Sequence, residues 1–218
     1  TIQAVKSVNR AALIHWGVDG SRFLVERQPD RVRHRLLFVG QVVQHKGIDT
    51  LIEVVGVLHN AYGYTDLCLT VAGICLSETY LAELQAQTED LGIRHAVDWL
   101  GMLPREQLPA LYAEHDILVF PSRWDEPFSI TVVEALAAGL VVIASATGGT
   151  PEIIQHEKTG LLFERDDVEG CAEQIIRVLS DPDLAYRLRT TGQQIVQTEY
   201  QMTTMVAKIE ADLIAALR

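Results

Sequence analysis

Compact apolar runs of four to six residues alternate along the chain with longer stretches whose apolar residues recur every three or four positions. The first pattern predicts strands buried on both faces, and the second predicts amphipathic helices. The predicted strands cover residues 36–40, 67–72, 97–100, 116–120, 141–144 and 160–163. The predicted helices begin near residues 48, 78, 106, 128, 151, 168, 182 and 202. This alternation is typical of the α/β class and predicts a doubly wound parallel sheet of about six strands with helices on both faces.

The two ends of the chain differ from this central pattern. Residues 1–35 are less regular, with a short strand predicted at 11–14, a turn at 17–20 and a loop at 28–31. We therefore divide the chain into a leading segment (1–35), a main domain (36–200) and a C-terminal helix (201–218). That helix carries one apolar stripe, formed by Met202, Met205, Val206, Ile209, Leu213 and Leu217. The stripe is expected to pack on this sheet or, as the alternative, on a neighbouring domain absent from this chain.

The composition narrows the range of partners. The 218 residues carry 18 Lys and Arg against 29 Asp and Glu, a net charge of −11, with no basic run. This balance argues against nucleic acid or an anionic membrane surface as the main partner. No apolar segment approaches the roughly 20 residues of a transmembrane helix. The sequence starts at Thr1, which predicts a piece processed or excised from a longer protein.

Three cysteines suggest a reducing compartment. Cys68, Cys75 and Cys171 are an odd number, lie in apolar contexts and show no C-x-x-C spacing. We interpret them as reduced core thiols of a cytoplasmic protein. The seven histidines share no metal-ligand spacing, and neither a G-x-S-x-G elbow nor a Ser-His-Asp order is present, so no metal is predicted.

The segment from Pro121 to Gly139 carries the most informative chemistry. A strand precedes it and a helix follows Pro127, which places Glu126 in the connecting loop and Glu134 about one turn into the helix. A helix start offers unpaired N–H groups to an anion, here those of Phe128, Ser129 and Ile130. Two carboxylates beside such donors suit a sugar joined to a phosphate. The alternative is a helix-start carboxylate favoured by the dipole plus an exposed surface glutamate.

Two glycine-rich loops also follow predicted strands, where ligands of open parallel sheets bind. The loop from Gly40 to Gly47 contains Gln41 and Lys46, and the lysine is suited to a diphosphate. The alternative is a turn with a solvated lysine, and the loop matches neither G-x-G-x-x-G nor the Walker pattern. The loop at 148–152 is either a second backbone cradle or a tight strand-to-helix turn.

These motifs occur in an order that closely resembles the donor-binding half of retaining, nucleotide-sugar-dependent glycosyltransferases of group 1 (family 4), which have the GT-B architecture. The similarity covers about residues 12–217, and the glutamate pair with seven residues between its members is its most specific part. The resemblance implies that Glu126 and Lys46 act in catalysis, with no metal and no cofactor besides the donor. It implies a UDP-, GDP- or ADP-linked sugar as the donor, bound by Gly40, Gln41, Lys46, Leu100, Gly101, Met102, Glu126, Phe128, Ser129, Ile130 and Glu134.

The resemblance also assigns roles within that set. Lys46 would bind the diphosphate, Glu126 the sugar hydroxyls and Glu134 the ribose diol. The backbone at 128–130 would contact sugar and phosphates, the loop at 100–102 would face the nucleobase, and residues 17–19 look like the hinge of the family. The implied mechanism is transfer with retention, with the charge of the leaving diphosphate stabilised by Lys46 and the helix N-terminus.

Two positions depart from the family pattern. Gln41 stands where the family usually has an arginine that binds the diphosphate, and Arg123 is a candidate replacement for that charge. Ser129 stands where glycine is common, which alters the backbone approach to the sugar. Both departures concern donor affinity more than fold.

The predicted function is therefore that of a nucleotide-sugar-binding half of a hexosyltransferase. Its partner would be an acceptor-binding N-terminal domain, missing here, so that the chain alone would bind nucleotide without efficient transfer. The expected location is cytoplasmic, or peripheral at the membrane through the missing domain. The alternatives are a non-catalytic nucleotide-sugar-binding or assembly module and, against the glutamate signature, a nucleotide-sugar epimerase.

Overall fold

The computed structural model describes residues 12–23 and 34–216 of the chain. All six predicted strands form, and they pair in parallel in the order β3-β2-β1-β4-β5-β6. The strands are β1 Arg35–Val39, β2 Cys68–Ala72, β3 Val97–Gly101, β4 Ile117–Phe120, β5 Val141–Ser145 and β6 Leu161–Phe163. The doubly wound α/β prediction is confirmed.

Eight α-helices lie in the described residues and connect or follow the strands. They are α1 Ile48–Asn60, α2 Glu78–Asp90, α3 Leu108–Ala113, α4 Ile130–Ala137, α5 Thr150–Ile153, α6 Val168–Ser180, α7 Pro182–Glu199 and α8 Met202–Ala216. The three helices predicted after residue 166 are α6, α7 and α8. None of the helices in the described ranges combines the length and apolar composition needed to cross a membrane.

Alternate strand residues supply two separate cores, one on each face of the sheet. In β1, Leu36 and Phe38 pack into the core beneath α1, α2 and α6, whereas Leu37 packs into the core beneath α3 and α4. The same alternation runs through β4 and β5, which are buried at every position. Burial on both faces explains why these strands read as continuous apolar runs.

The sheet order creates a crevice between β1 and β4. These strands are neighbours, yet the chain leaves β1 toward α1 on one face and leaves β4 toward α4 on the other. The loops after the two strands therefore separate at their carboxyl ends, which is where ligands of open α/β sheets bind. Both of the most informative loops, 40–47 and 121–129, lie at this crevice.

Several local predictions differ from the structure. The short helix expected at 106–112 begins as a 3-10 turn at Arg105–Gln107 and becomes α-helical only as α3. Helix α5, expected to begin near residue 151 after Thr150 as its N-cap, begins at Thr150 and has Gly149 as its N-cap residue. Residues 12–14 form no strand, while residue 11 and the predicted loop at 28–31 fall outside the described residues.

The predicted turn at 17–20 has a tertiary partner. Val18 forms a parallel bridge with Gln201, and a 3-10 turn follows at Gly20–Phe23. The Val18 N–H donates to the Tyr200 carbonyl at 2.8 Å, and the Met202 N–H donates to the Val18 carbonyl at 3.1 Å. This segment therefore docks beside the junction of α7 and α8.

The structure excludes one of the two alternatives for the α8 stripe and overturns one burial prediction. The stripe does not pack on the sheet, because α8 contains no buried residue and Met202, Val206, Ile209 and Leu213 are exposed. Leu217, the last residue of the predicted stripe, lies outside the described residues. Cys68 is also exposed, since it opens β2 at the amino edge of the sheet, whereas Cys171 is a core thiol whose pKa burial raises.

Candidate functional site

The centre of the site is an ion pair between the loops that follow β1 and β4. The Lys46 ammonium contacts the Glu126 carboxylate, and each side chain keeps 17% of its surface exposed. The Ser122 hydroxyl donates to the same Glu126 oxygen at 3.1 Å, and the Lys46 ammonium lies 5.7 Å from the centre of the Phe120 ring. The structure thus brings together two predicted site residues that stand 80 positions apart in the chain.

Close contact between the two loops requires a glycine. Residues Gln44–Lys46 form a 3-10 turn that ends at Gly47, whose φ of 70° lies in the left-handed region. A Cβ on Gly47 would collide with the carbonyl oxygen of Pro121. Gly47 therefore serves both the turn geometry and the approach of the β4–α4 loop.

Arg123 clamps these loops together. Its guanidinium binds both carboxylate oxygens of Asp49 at 2.8 Å and forms a second ion pair with Asp166. It also donates to the Gln44 carbonyl at 2.9 Å. Hydrogen bonds to Asp49, followed by those to Asp166, raise the pKa of Arg123 against the effect of burial. The guanidinium is paired with Asp49 in α1 and with Asp166 in the loop after β6. It therefore does not replace the positive charge that Gln41 lacks.

The N-terminus of α4 lies between the two glutamates, as predicted. Ser129 is its N-cap residue, and the Ser129 hydroxyl accepts from the Val132 N–H at 3.4 Å. Within the described ranges, the N–H groups of Phe128, Ser129 and Ile130 donate to no protein acceptor. These three groups and the dipole of α4 are therefore available to an anion.

Glu134 lies one turn into α4, and its side chain is only 6% exposed. The Tyr112 hydroxyl donates to its Oε2 at 3.3 Å, and an Arg105 nitrogen lies 3.6 Å from its Oε1. Burial raises the pKa of Glu134, and Arg105 and Tyr112 oppose that shift. The reading of Glu134 as an exposed surface glutamate is thus wrong.

The glycine loop after β5 braces the β4–α4 loop. The Gly149 N–H donates to the Glu126 carbonyl at 2.7 Å, and a Cβ on Gly148 would lie 2.5 Å from the same oxygen. The Ser145 and Thr147 hydroxyls donate to the Ser122 carbonyl at 2.6 and 3.1 Å. The loop therefore fixes the backbone that carries Glu126.

A cleft of about 710 Å³ opens beside Glu126, between residues 13–16, 125–128, 148–149 and Glu152. His15 closes one side of it. The His15 Nε2 lies 3.0 Å from the Glu152 carboxylate, and its ring stacks on Phe128 at 5.8 Å. The Tyr200 hydroxyl donates to the Glu152 carbonyl at 3.1 Å. Residues 13–16 thus form a wall of the cleft.

The loop at 100–102 lies on the rim formed by the carboxyl ends of β1, β2 and β3. The Gly101 carbonyl accepts from the Gly73 N–H at 2.8 Å, and a Cβ on Gly73 would overlap the Gly40 carbonyl. Leu100 and Met102 are exposed. These contacts connect the loop to Gly40, whereas its predicted role toward a nucleobase stays a prediction.

Three side chains were missed by the sequence reading: Ser122, Tyr112 and Arg105. Ser122 stands within the informative segment, and its place four residues before Glu126 was the available signal. Tyr112 and Arg105 precede Glu134 by 22 and 29 positions and belong to the connection between β3 and β4. That connection crosses β2 and β1, which brings α3 against Glu134.

In the described ranges, no group of three or more His, Cys, Asp or Glu residues could hold a metal ion.

Comparisons with known proteins agree on one family. The model of "Glycosyl transferases group 1" matches residues 26–195. A GDP-mannose-dependent alpha-(1-6)-phosphatidylinositol monomannoside mannosyltransferase of Mycobacterium tuberculosis is 30% identical over 208 residues, which are 88% of this chain and 53% of that protein. The M. tuberculosis glycogen synthase is 29% identical, over 94% of this chain and 49% of its own length.

Solved structures show the same fold. Anabaena HepE in complex with UDP and glucose superposes with a TM-score of 0.86 at 22% identity, covering 98% of this chain and 59% of that one. The C-terminal domain of the group 1 protein LpcC from Francisella tularensis gives a TM-score of 0.76 at 25% identity and is matched over its whole length, against 85% of this chain. The chain spans about half the length of the curated relatives cited above. With the family model matching most of its residues, the chain belongs to the group 1 glycosyltransferases.

Proposed function

We propose that this chain is the donor-binding half of a glycosyltransferase and that it binds a nucleotide diphosphate sugar in the crevice between β1 and β4. One observation carries the proposal: the Lys46–Glu126 pair lies at the start of α4, beside three N–H groups without protein acceptors. Glu134 lies one turn farther along that helix. This arrangement offers a cation and donors for phosphates between two carboxylates for hydroxyls.

We assign the donor roles as the family resemblance implies, and the geometry described above supports them. Lys46 and the N–H groups of 128–130 would bind the diphosphate, Glu126 the sugar hydroxyls and Glu134 the ribose diol. Gly40, Gln41 and the loop at 100–102 would complete the site on the other side of the crevice. The relatives suggest the class of donor, since one is named as GDP-mannose-dependent and HepE was solved with UDP and glucose.

The proposed chemistry is hexosyl transfer with retention and without a metal. The bond between the anomeric carbon and the diphosphate oxygen breaks, and its electron pair leaves with the diphosphate. The acceptor hydroxyl passes its proton to an oxygen of the leaving diphosphate as its own oxygen bonds to that carbon, so the step balances. Lys46 and the helix dipole would stabilise the negative charge that develops on the diphosphate. Such electrostatic stabilisation is usually the largest contribution to the rate acceleration.

An acceptor-binding domain is proposed as the partner of this half. The chain matches about half the length of its relatives, and ligand sites commonly form at domain interfaces. The exposed stripe on α8 and the cleft lined by the hinge segment are surfaces that such a domain could cover. The acceptor and its binding residues would come from that domain.

Calorimetric titration of the 218-residue chain with UDP, GDP and ADP tests the proposal. We expect one of them to bind at sub-millimolar concentration, and Lys46→Met to weaken it at least about tenfold because a charged hydrogen bond to phosphate is lost. Lys158→Met, which removes an exposed lysine elsewhere, should leave the affinity unchanged.

If none of the three nucleotides binds below millimolar concentration, the chain is not a donor-binding half. That outcome would favour the alternative of an assembly module that keeps the fold. If Lys46→Met and Lys158→Met lose nucleotide affinity equally, binding is a general charge effect and the crevice is not the site.

A further inference from the structure

A second pair of groups, outside the residues already assigned to the donor, acts on Glu134. Tyr112 belongs to α3 and Arg105 to the 3-10 turn before it. Each approaches a different carboxylate oxygen of Glu134, Tyr112 at Oε2 and Arg105 at Oε1.

The two contacts differ in kind. The Tyr112 hydroxyl, itself fully buried, donates a hydrogen bond and fixes the rotation of the carboxylate. The Arg105 nitrogen at 3.6 Å is beyond hydrogen-bond distance, so Oε1 keeps its lone pairs for another donor while staying close to a positive charge. The Arg105 side chain is 66% exposed, so a ligand in the crevice does not have to displace a buried pair.

We propose that Arg105 is a positioning residue for the nucleoside: its positive charge beside Oε1 keeps the Glu134 carboxylate, which Tyr112 orients, available as an acceptor for the ribose diol. This inference rests on the proposed function, because it assumes that Glu134 is the ribose ligand. It adds a residue that does not touch the sugar of the donor and acts through Glu134.

A positive charge beside Glu134 matters because burying an ionised carboxylate is unfavourable. Burial favours the protonated form, which keeps only part of the acceptor capacity of the charged form. Besides Arg105 and Tyr112, the charged group that acts on Glu134 is Arg22, from the 3-10 turn at Gly20–Phe23. Among these groups Arg105 has the largest effect in lowering the pKa of Glu134.

The test is the pH dependence of nucleotide affinity in wild type, Arg105→Gln and Arg105→Lys. The probe is the nucleoside diphosphate that the wild-type chain binds, compared with its 2′,3′-dideoxy form. We expect wild-type affinity for the ribonucleotide to fall as the pH drops through the Glu134 pKa. In Arg105→Gln that fall should begin at a higher pH than in wild type, since an opposite charge is removed. Arg105→Lys should restore most of the wild-type profile.

The dideoxy nucleotide separates the possible failures. If wild type binds both nucleotides equally, Glu134 is not the ribose ligand and the proposed function of that residue fails. If wild type discriminates but Arg105→Gln keeps the wild-type pH profile, the role of Arg105 alone is overturned. Arg94→Gln, which removes another exposed arginine, is the control and should not shift the profile.

Discussion

At the scale of single residues, two side chains of the site are open to test. Gln41 is exposed at the crevice and carries no charge, while the Arg123 guanidinium is paired with Asp49 and Asp166. Glu134 is a buried carboxylate. Each residue can be tested with a single substitution. A charge at position 41 should raise nucleotide affinity, whereas neutralising Glu134 should lower affinity and raise stability.

Gln41→Arg should tighten nucleoside diphosphate binding by about 1 kcal/mol or somewhat more, because a charge-assisted bond to phosphate is added. Titration calorimetry measures the change. Gln44→Arg is the matched control, since it adds the same charge to an exposed position of the same loop. If the two variants bind equally well, the gain is long-range attraction and Gln41 does not face the diphosphate.

Glu134→Gln should make the chain more stable at about pH 7 while weakening nucleotide binding. Burial raises the pKa of Glu134 in the folded state, so the native chain holds this proton to a higher pH than the unfolded chain. The free energy of unfolding therefore falls as pH rises from the ordinary pKa of about 4.3 through the raised folded value. The glutamine variant has no ionisable group at this position, so its free energy of unfolding does not show this fall.

Urea unfolding at several pH values checks this expectation. The gain should exceed about 0.5 kcal/mol near neutral pH, the usual range of harmless surface changes, and should vanish below about pH 4. Glu173→Gln, at an exposed position of α6, should show neither effect. A Glu134→Gln variant that is less stable at every pH would show that the carboxylate stabilises the fold.

At the scale of elements, the clamp formed by Arg123 joins α1, the loop after β4 and Asp166 after β6. Arg123→Met should lower the free energy of unfolding by roughly 1–3 kcal/mol, because a bidentate charged pair is lost and Asp49 keeps only the hydrogen bond from the Tyr80 hydroxyl. It should also weaken nucleotide binding, since the loops carrying Lys46 and Glu126 lose their connection.

Arg165→Met is the comparison for this clamp. Arg165 pairs with Asp125 where both side chains are largely exposed, so its loss should cost no more than about 1 kcal/mol. Equal melting temperatures for the two variants would show that Arg123 is only another surface pair.

The strands and long helices could be predicted from the sequence because their signal is local. Most strands are nearly continuous apolar runs, although β2 contains Thr70 and β3 contains Asp98. The apolar residues from Ile48 to Leu58 recur at helical spacing. The Lys46 and Glu126 loops could also be placed, because the carboxyl ends of parallel strands share one edge. The order of the strands then brought the two residues into contact.

The rest depended on contacts between distant parts of the chain. The direction of Arg123 depends on Asp49 and Asp166, which its own neighbours do not reveal. Tyr112 reaches Glu134 only because the connection from β3 to β4 crosses two strands. The exposure of α8 could not be inferred from its stripe, since the same pattern serves a helix on this sheet and a helix on another domain.

At the scale of the whole molecule, the described structure leaves the apolar side chains of α8 uncovered, among them Met202, Val206, Ile209 and Leu213. They adjoin the bridge between Val18 and Gln201, so the segment around Val18 and α8 share one side of the molecule. The proposed acceptor-binding domain would cover apolar area there, as exposed patches of this kind usually mark interfaces.

In the 218-residue chain alone, this stripe should cause concentration-dependent self-association. Exchanging both Ile209 and Leu213 for Asp should abolish that association without lowering the melting temperature, because neither side chain is buried. Ala211→Asp lies on the opposite side of α8 and adds a charge to an exposed position, so it should leave the association unchanged. Sedimentation velocity over a range of concentrations measures the effect. A double variant that melts well below wild type would show that α8 packs on its own domain, and the need for a second domain to cover it would disappear.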